Sequence, residues 1–151
     1  MTKRNKSTPC PCDTGLPFAQ CCQPLLNNDQ QAETAVALMR SRYCAYTLGD
    51  EDYLLRTWHS DTRPLQLSLQ ENQQHWQRLK IIDTAAGQAN DNSGEVEFVA
   101  IYKTNGRAER LHERSRFARE GQQWRYINGV VNDNPAKSEE KEMSENPLMK
   151  G

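Results

Sequence analysis

Between positions 10 and 22 the chain reads Cys-Pro-Cys-Asp-Thr-Gly-Leu-Pro-Phe-Ala-Gln-Cys-Cys, which places four of its five cysteines in one short stretch. A segment of that length buries too little apolar surface to offset the entropy of ordering its backbone, so a metal or disulfides must hold it. Cys21 and Cys22 are adjacent, with Cα atoms about 3.8 Å apart against the roughly 4.4–6.8 Å of ordinary disulfides, so a bridge between them would be strained. Cross-bridges from Cys10 and Cys12 to Cys21 and Cys22 satisfy the geometry, but the expected compartment argues against them. Lys3, Arg4 and Lys6 are followed by no apolar run that reads as a secretory signal, and no stretch is apolar enough to span a membrane. A cytoplasmic location is expected, where thiols stay reduced. Two close thiol pairs separated by eight residues match a tetrahedral Zn²⁺ site. The predicted ligands are Cys10, Cys12, Cys21 and Cys22. All are sulfur and no position is left open, so the one zinc ion is expected to be structural. Thr14-Gly15 supplies a tight turn whose N–H groups can face the sulfurs, with Leu16 and Phe18 as an apolar lid. The basic residues at positions 3, 4 and 6 would offset the negative charge of such a centre.

A second candidate lies near the end of the domain. With strand alternation over 107–119, the face that carries Leu111 and Phe117 also carries Glu113 and Ser115, while Arg110, His112, Arg114 and Arg116 face the other way. An inward Glu113 must be paired or raised in pKa. Beside Trp58, His59 and a tyrosine it could move a proton, as in a cofactor-free isomerase or hydratase acting on a small apolar ligand. The competing reading is a structural network that bridges Glu113 to Arg40 or Arg42 on a helix across the mouth. A bulge that turns Glu113 to solvent is the third. Glu113 and His59 are therefore the catalytic candidates, and Arg40, Arg42, Tyr43, Trp58 and Arg116 the further cavity or network candidates. The simplest expectation for the two helix arginines is a solvated face with buried stems, and for His59 a hydrogen-bonded structural role. Cys44, far from the other four thiols in sequence, is expected to be a small buried residue.

The elements that must position these residues follow from periodicity. Residues 23–31, with Pro24 and Asn27-Asn28-Asp29, read as a polar connection. Val36, Met39, Tyr43 and Tyr46 draw one stripe on a helix over 33–47, stopped by Gly49. A second short helix over 50–58 turns Tyr53, Leu54 and Trp58 inward, and 60–74 reads as a short helix or irregular segment. From Trp76 the period becomes two, giving strands over 76–86, 95–104, 107–119 and 122–131. Asn105-Gly106 is a type I′ hairpin signal. The fold class is α+β, with helices packed on a curved four-stranded antiparallel sheet behind a small N-terminal zinc module. The tail over 133–151 has almost nothing to bury and is expected to be disordered.

Composition limits the partners. The chain has 151 residues, 36% of them hydrophobic, with 19 basic against 20 acidic side chains. A formal charge of −1 and a mean hydropathy of −0.92 give no electrostatic preference for nucleic acid or a membrane surface.

The spacing C-x-C-x8-C-C, with Pro11 inside the first pair, resembles the SEC-C motif, a small zinc-binding module found at the C-terminus of the SecA translocation ATPase and in many otherwise unrelated bacterial proteins. Leu38-Met39-Arg40-Ser41-Arg42-Tyr43, Tyr53-Leu54 with Thr57-Trp58-His59, Glu113-Arg114-Ser115-Arg116-Phe117 and Trp124-Arg125-Tyr126 resemble the YchJ-like family of bacterial proteins of unknown function. The resemblance implies a SEC-C zinc module over 8–24 followed by a domain over 30–132 like nuclear transport factor 2, a cone of curved sheet closed by helices. Cones of this type serve as enzymes and as binding units, so the fold decides no activity. The reading favoured is a zinc-binding, non-enzymatic protein-interaction or ligand-binding module that docks another protein through the zinc module.

Overall fold

The computed structural model describes residues 8–67, 69 and 74–131. The basic N-terminal residues 1–7 and the charged tail predicted over 133–151 lie outside the described residues.

The chain opens with a loop closed by a bridge between Pro9 and Pro17, in which Cys10 N–H donates to Leu16 O and Phe18 N–H to Thr8 O. A 3-10 turn, Phe18–Gln20, leads into a short helix α1, Gln23–Leu26, inside the stretch expected to be a plain connection. Pro24 fits in its first turn, where the missing N–H has no helical partner to lose.

Helix α2 spans Ala35–Leu48. The Thr34 side chain caps it by accepting from Ala37 N–H at 3.1 Å, and Gly49 ends it with a left-handed φ of 75°. Leu38, Met39 and every residue from Ser41 to Tyr46 are buried, so this is a helix enclosed on nearly all sides rather than one with a single apolar stripe. Helix α3, Glu51–Arg56, follows at once, capped by the Asp50 carboxylate, which accepts from Tyr53 N–H. The chain then runs irregularly as far as Leu67.

Four strands follow in simple order: β1, Gln74–Ala86; β2, Ser93–Thr104; β3, Arg107–Glu120; and β4, Gln123–Val131. Each pairs antiparallel with the next, and the helices pack on the inner face, as the alternation predicts. Asn105 and Gly106 both take positive φ, 54° and 80°, as a type I′ turn requires. Irregular pairing between Trp76 and Arg78 lets Trp76 and Leu79 both face inward, a departure from strict alternation that a period-two reading misses. The inner face carries Val96, Phe98, Ala100 and Tyr102 from β2 and Leu111, Glu113, Ser115 and Phe117 from β3. Trp124, Tyr126 and Val131 complete it from β4. Trp76 binds the far end together, with its ring 4.9 Å from Tyr102 and 5.9 Å from Tyr43. Among the described residues no helix is long and apolar enough to cross a membrane.

Candidate metal centre and the buried carboxylate

The four cysteines of the N-terminal loop converge. Their sulfurs all lie within 4.8 Å of one another, with Cys12 and Cys21 at 3.6 Å and Cys21 and Cys22 at 3.9 Å. A tetrahedron with metal–sulfur bonds of about 2.3 Å has edges of roughly 3.8 Å, so the thiols stand almost where a metal would hold them. None is in a disulfide. Backbone turning brings the pairs together: Asp13 and Gly15 take positive φ, 67° and 89°, and fold the loop back so that Thr14 Oγ1 sits 3.2 Å from Cys21 Sγ. The donor set is soft and uniform, four thiols with no carboxylate among them, and it suits a thiophilic metal.

Crowded sulfurs cannot all ionise without a cation. Cys12 is held low by S–H donation from Cys10 first, then from Cys22 and Cys44. Burial pushes the Cys21 thiol up to about 11, and the nearby Cys12 sulfur adds to the rise, while the Thr14 hydroxyl opposes it. A divalent ion would replace the shared protons and hold all four as thiolates.

The loop is not an isolated appendage. Cys10, Cys12 and Cys22 are buried in the same core as α2. Arg40, expected in a network at the mouth of the cone or on a solvated face, instead reaches the loop: its Nη1 donates to Cys12 O at 2.7 Å. From the sheet, Leu79 N–H donates to the Asp13 carboxylate at 3.0 Å. Cys44 is buried as expected, but its Sγ lies 3.4 Å from that of Cys10, so the fifth thiol borders the other four. Sequence separation hid that contact. The available signal was helical, because Arg40 and Cys44 stand four residues apart on one face of α2.

Glu113 does point inward and is fully buried, at 0% exposure. Its Oε2 accepts from the Ser115 hydroxyl at 2.6 Å and from Tyr126 OH at 3.3 Å. On the neighbouring strand Gly129 lies against this carboxylate, where a methyl group would overlap it. Arg42, only 3% exposed, is a core residue rather than a solvated one. Its Nη1 donates to Leu54 O at 2.8 Å and Thr57 Oγ1 at 2.7 Å, and its guanidinium lies 4.5 Å from the Tyr126 ring and 5.0 Å from the Trp58 ring. Burial depresses the Arg42 pKa, and the surrounding tyrosines and Glu113 pull it back up. Tyr126 is pushed well above the usual phenol range, by burial first and then by Glu113. Arg42, Glu113, Trp58 and Tyr126 therefore form one enclosed cluster. Tyr43 packs edge-on against Trp76 instead.

The other predicted residues lie elsewhere. His59 N–H donates to Tyr126 O, and its Nδ1 accepts from Asp61 N–H at 3.1 Å. Arg116 is exposed on the outer face, where it reaches Asn128 at 3.4 Å. On that face His112 pairs with Glu97 at 2.6 Å, and Arg114 with Glu95, Glu97 and Asp83. Outside the cone interior, a cleft of about 210 Å³ opens between the connecting segment and β4, lined by Leu25, Gln31, Tyr53, Arg56 and Arg125 among others.

Comparison with known proteins agrees with both halves of this description. Residues 7–24 match the model of the SEC-C motif, and residues 34–129 that of "YchJ, middle NTF2-like domain". The chain belongs to the YchJ family. Its curated relatives carry the family designation UPF0225: one from Chromobacterium violaceum is 49% identical over 133 residues, covering 86% of this chain and 98% of that protein. Another, from Streptomyces coelicolor, is 47% identical over 125 residues, covering 83% and 97%. The solution structure of a SEC-C motif containing protein from Rhodopseudomonas palustris matches with a TM-score of 0.73 at 31% identity, over 83% of this chain and all of that one. A crystal structure of such a protein from Psychrobacter arcticus matches at 0.69 and 24% identity, over 87% and 86%, which speaks to fold alone. The α+β fold implied by the resemblance of the short sequence phrases is the fold observed.

Proposed function

We propose that this YchJ-family chain is a zinc-binding protein that holds one structural Zn²⁺ on Cys10, Cys12, Cys21 and Cys22 and works as a protein-interaction or ligand-binding module. The observation that carries the reading is the convergence of four thiols within 4.8 Å on a loop too short to order itself. The set leaves no ligand position to water or substrate, so the ion would hold shape rather than activate a nucleophile. A non-catalytic role is supported by the burial of Glu113, which stands against Gly129 with its oxygen occupied by Ser115 and Tyr126. His59, the other candidate proton carrier, has its partners in Asp61 and the β4 backbone.

The test has two parts. Elemental analysis of freshly reduced protein should find one zinc per chain and less than half of that in Cys12→Ser; protein without stoichiometric metal overturns the metal centre. Affinity capture with wild type and Cys12→Ser should recover a partner only with the intact centre. Equal recovery removes the zinc module from the interaction and leaves the cone as its site.

A further inference from the structure

We propose that Cys44 is a reserve ligand of the metal centre, able with Cys10, Cys12 and Cys22 to complete a second four-thiolate set when Cys21 leaves the first. The inference rests on the metal-centre reading above and adds a residue from a different part of the fold.

Three observations converge on it. The sulfur of Cys44 lies 3.4 Å from that of Cys10, within the span of two ligands on one tetrahedral ion. Cys10 itself lies within 4.8 Å of Cys12 and Cys22, so Cys44 adjoins the buried ligands of the module through the sulfur next to it. Finally, burial divides the five: Cys10, Cys12, Cys22 and Cys44 are 3%, 0%, 2% and 0% exposed, while Cys21 is only partly buried. The member of the first set most open to solvent is thus the one that Cys44 could replace.

An isolated buried cysteine is ordinarily a small apolar residue. Cys44 differs in facing sulfur. It also sits on a full-length helix whose neighbour Arg40 grips the Cys12 carbonyl, so the distance between helix and loop is fixed from two points. While Cys21 is bound, the Cys44 S–H would donate to the Cys10 thiolate, the outer-shell role that sets ligand basicity. In the exchange the metal–Sγ bond of Cys21 breaks and one to Cys44 forms. The proton given up by Cys44 is matched by the one Cys21 takes up, so the total charge does not change.

The test uses the full chain loaded with Co²⁺ in place of zinc, whose absorption reports how many thiolates bind. Wild type and Cys44→Ala should each bind one ion with a four-thiolate spectrum. Cys21→Ser should also give a four-thiolate spectrum, with affinity reduced by no more than about tenfold. Cys21→Ser with Cys44→Ala should fall to a three-thiolate spectrum and lose affinity by about 100-fold or more. Identical spectra for Cys21→Ser and the double variant overturn the proposal, and so does loss of metal from Cys44→Ala alone. Cys44→Ser serves as a second form should the alanine variant misfold. Failure of the wild type to bind any metal would instead overturn the centre itself, an outcome distinct from a failure of Cys44.

Discussion

Replacing Glu113 by glutamine separates a structural carboxylate from a catalytic one. The change keeps shape and volume, and because Ser115 and Tyr126 both donate to the same oxygen, the amide can present its carbonyl to them and retain both hydrogen bonds. What it removes is the negative charge acting on Arg42, a guanidinium buried to 3% exposure. Removing one partner of a buried ion pair costs about 3–5 kcal/mol, and Glu113 supports the Arg42 charge alongside three tyrosines rather than by itself. Arg42 keeps its bonds to Leu54 O and Thr57 and the faces of two rings, which places the loss at the lower end, about 3 kcal/mol. For a domain of this size that lowers Tm by about 10 °C or more. The assay is a thermal and a urea melt of the metal-loaded protein near neutral pH. Removing the buried cation as well, in Glu113→Gln with Arg42→Met, should recover part of the loss, because a neutral pair no longer carries an unmatched charge. A Glu113→Gln protein that melts within about 2 °C of wild type would refute the reasoning and return Glu113 to the list of catalytic candidates.

The other predictions concern the metal and its fastening. Chelation of the metal should lower the melting of the whole domain rather than release the loop alone, since Cys10, Cys12 and Cys22 belong to one core with α2; two separate transitions in calorimetry would contradict this. Arg40→Ala should cost about 1–2 kcal/mol and speed metal transfer to a coloured chelator, because it removes a charged donor from the Cys12 carbonyl; an unchanged transfer rate would show that the loop is held without it. Metal affinity should rise with pH and fall on acidification. Cys21, its thiol pushed up to about 11 by burial, is protonated at neutrality and must give up that proton to bind, as competition titrations across pH will show. Gly129→Ala should destabilise by about 1–3 kcal/mol, since the methyl group would meet the Glu113 carboxylate, and Glu113→Gln should not relieve it because the amide has the same bulk.

Much of the architecture is written in local pattern. Two-residue alternation and the Asn105-Gly106 turn fix the order and pairing of the strands, and the cysteine spacing identifies the loop whose sulfurs meet. What the pattern misleads about is α2. A stripe of Val36, Met39, Tyr43 and Tyr46 suggests one buried face, places Arg42 in solvent or at the mouth of the cone, and gives the buried Cys44 no sulfur neighbour. In the fold the helix is covered on one side by the cysteine loop and on the other by the sheet, so Arg42 is enclosed by aromatic rings and Cys44 meets Cys10. Helical periodicity records which residues are apolar, and a polar side chain enclosed by specific partners is invisible to it. The position of His59 is set by long-range pairing with the backbone of Tyr126, whereas the outward phase of Arg116 on β3 follows from the alternation itself.

A helix without an outer side also constrains the order of events as the chain leaves the ribosome. One wall of α2 comes from residues 10–22, made before it, and the other from strands that end at Val131. The Trp124 indole, for example, donates to Glu33 O at 3.1 Å across 91 residues. Until β4 emerges, Arg42 lacks the Tyr126 ring that covers it, although β1 already offers Trp76 to the neighbouring Tyr43. Such non-local closure is slow and leaves apolar surface open in the interval. A loop already clasped around its ion would shield one side of the helix during that wait.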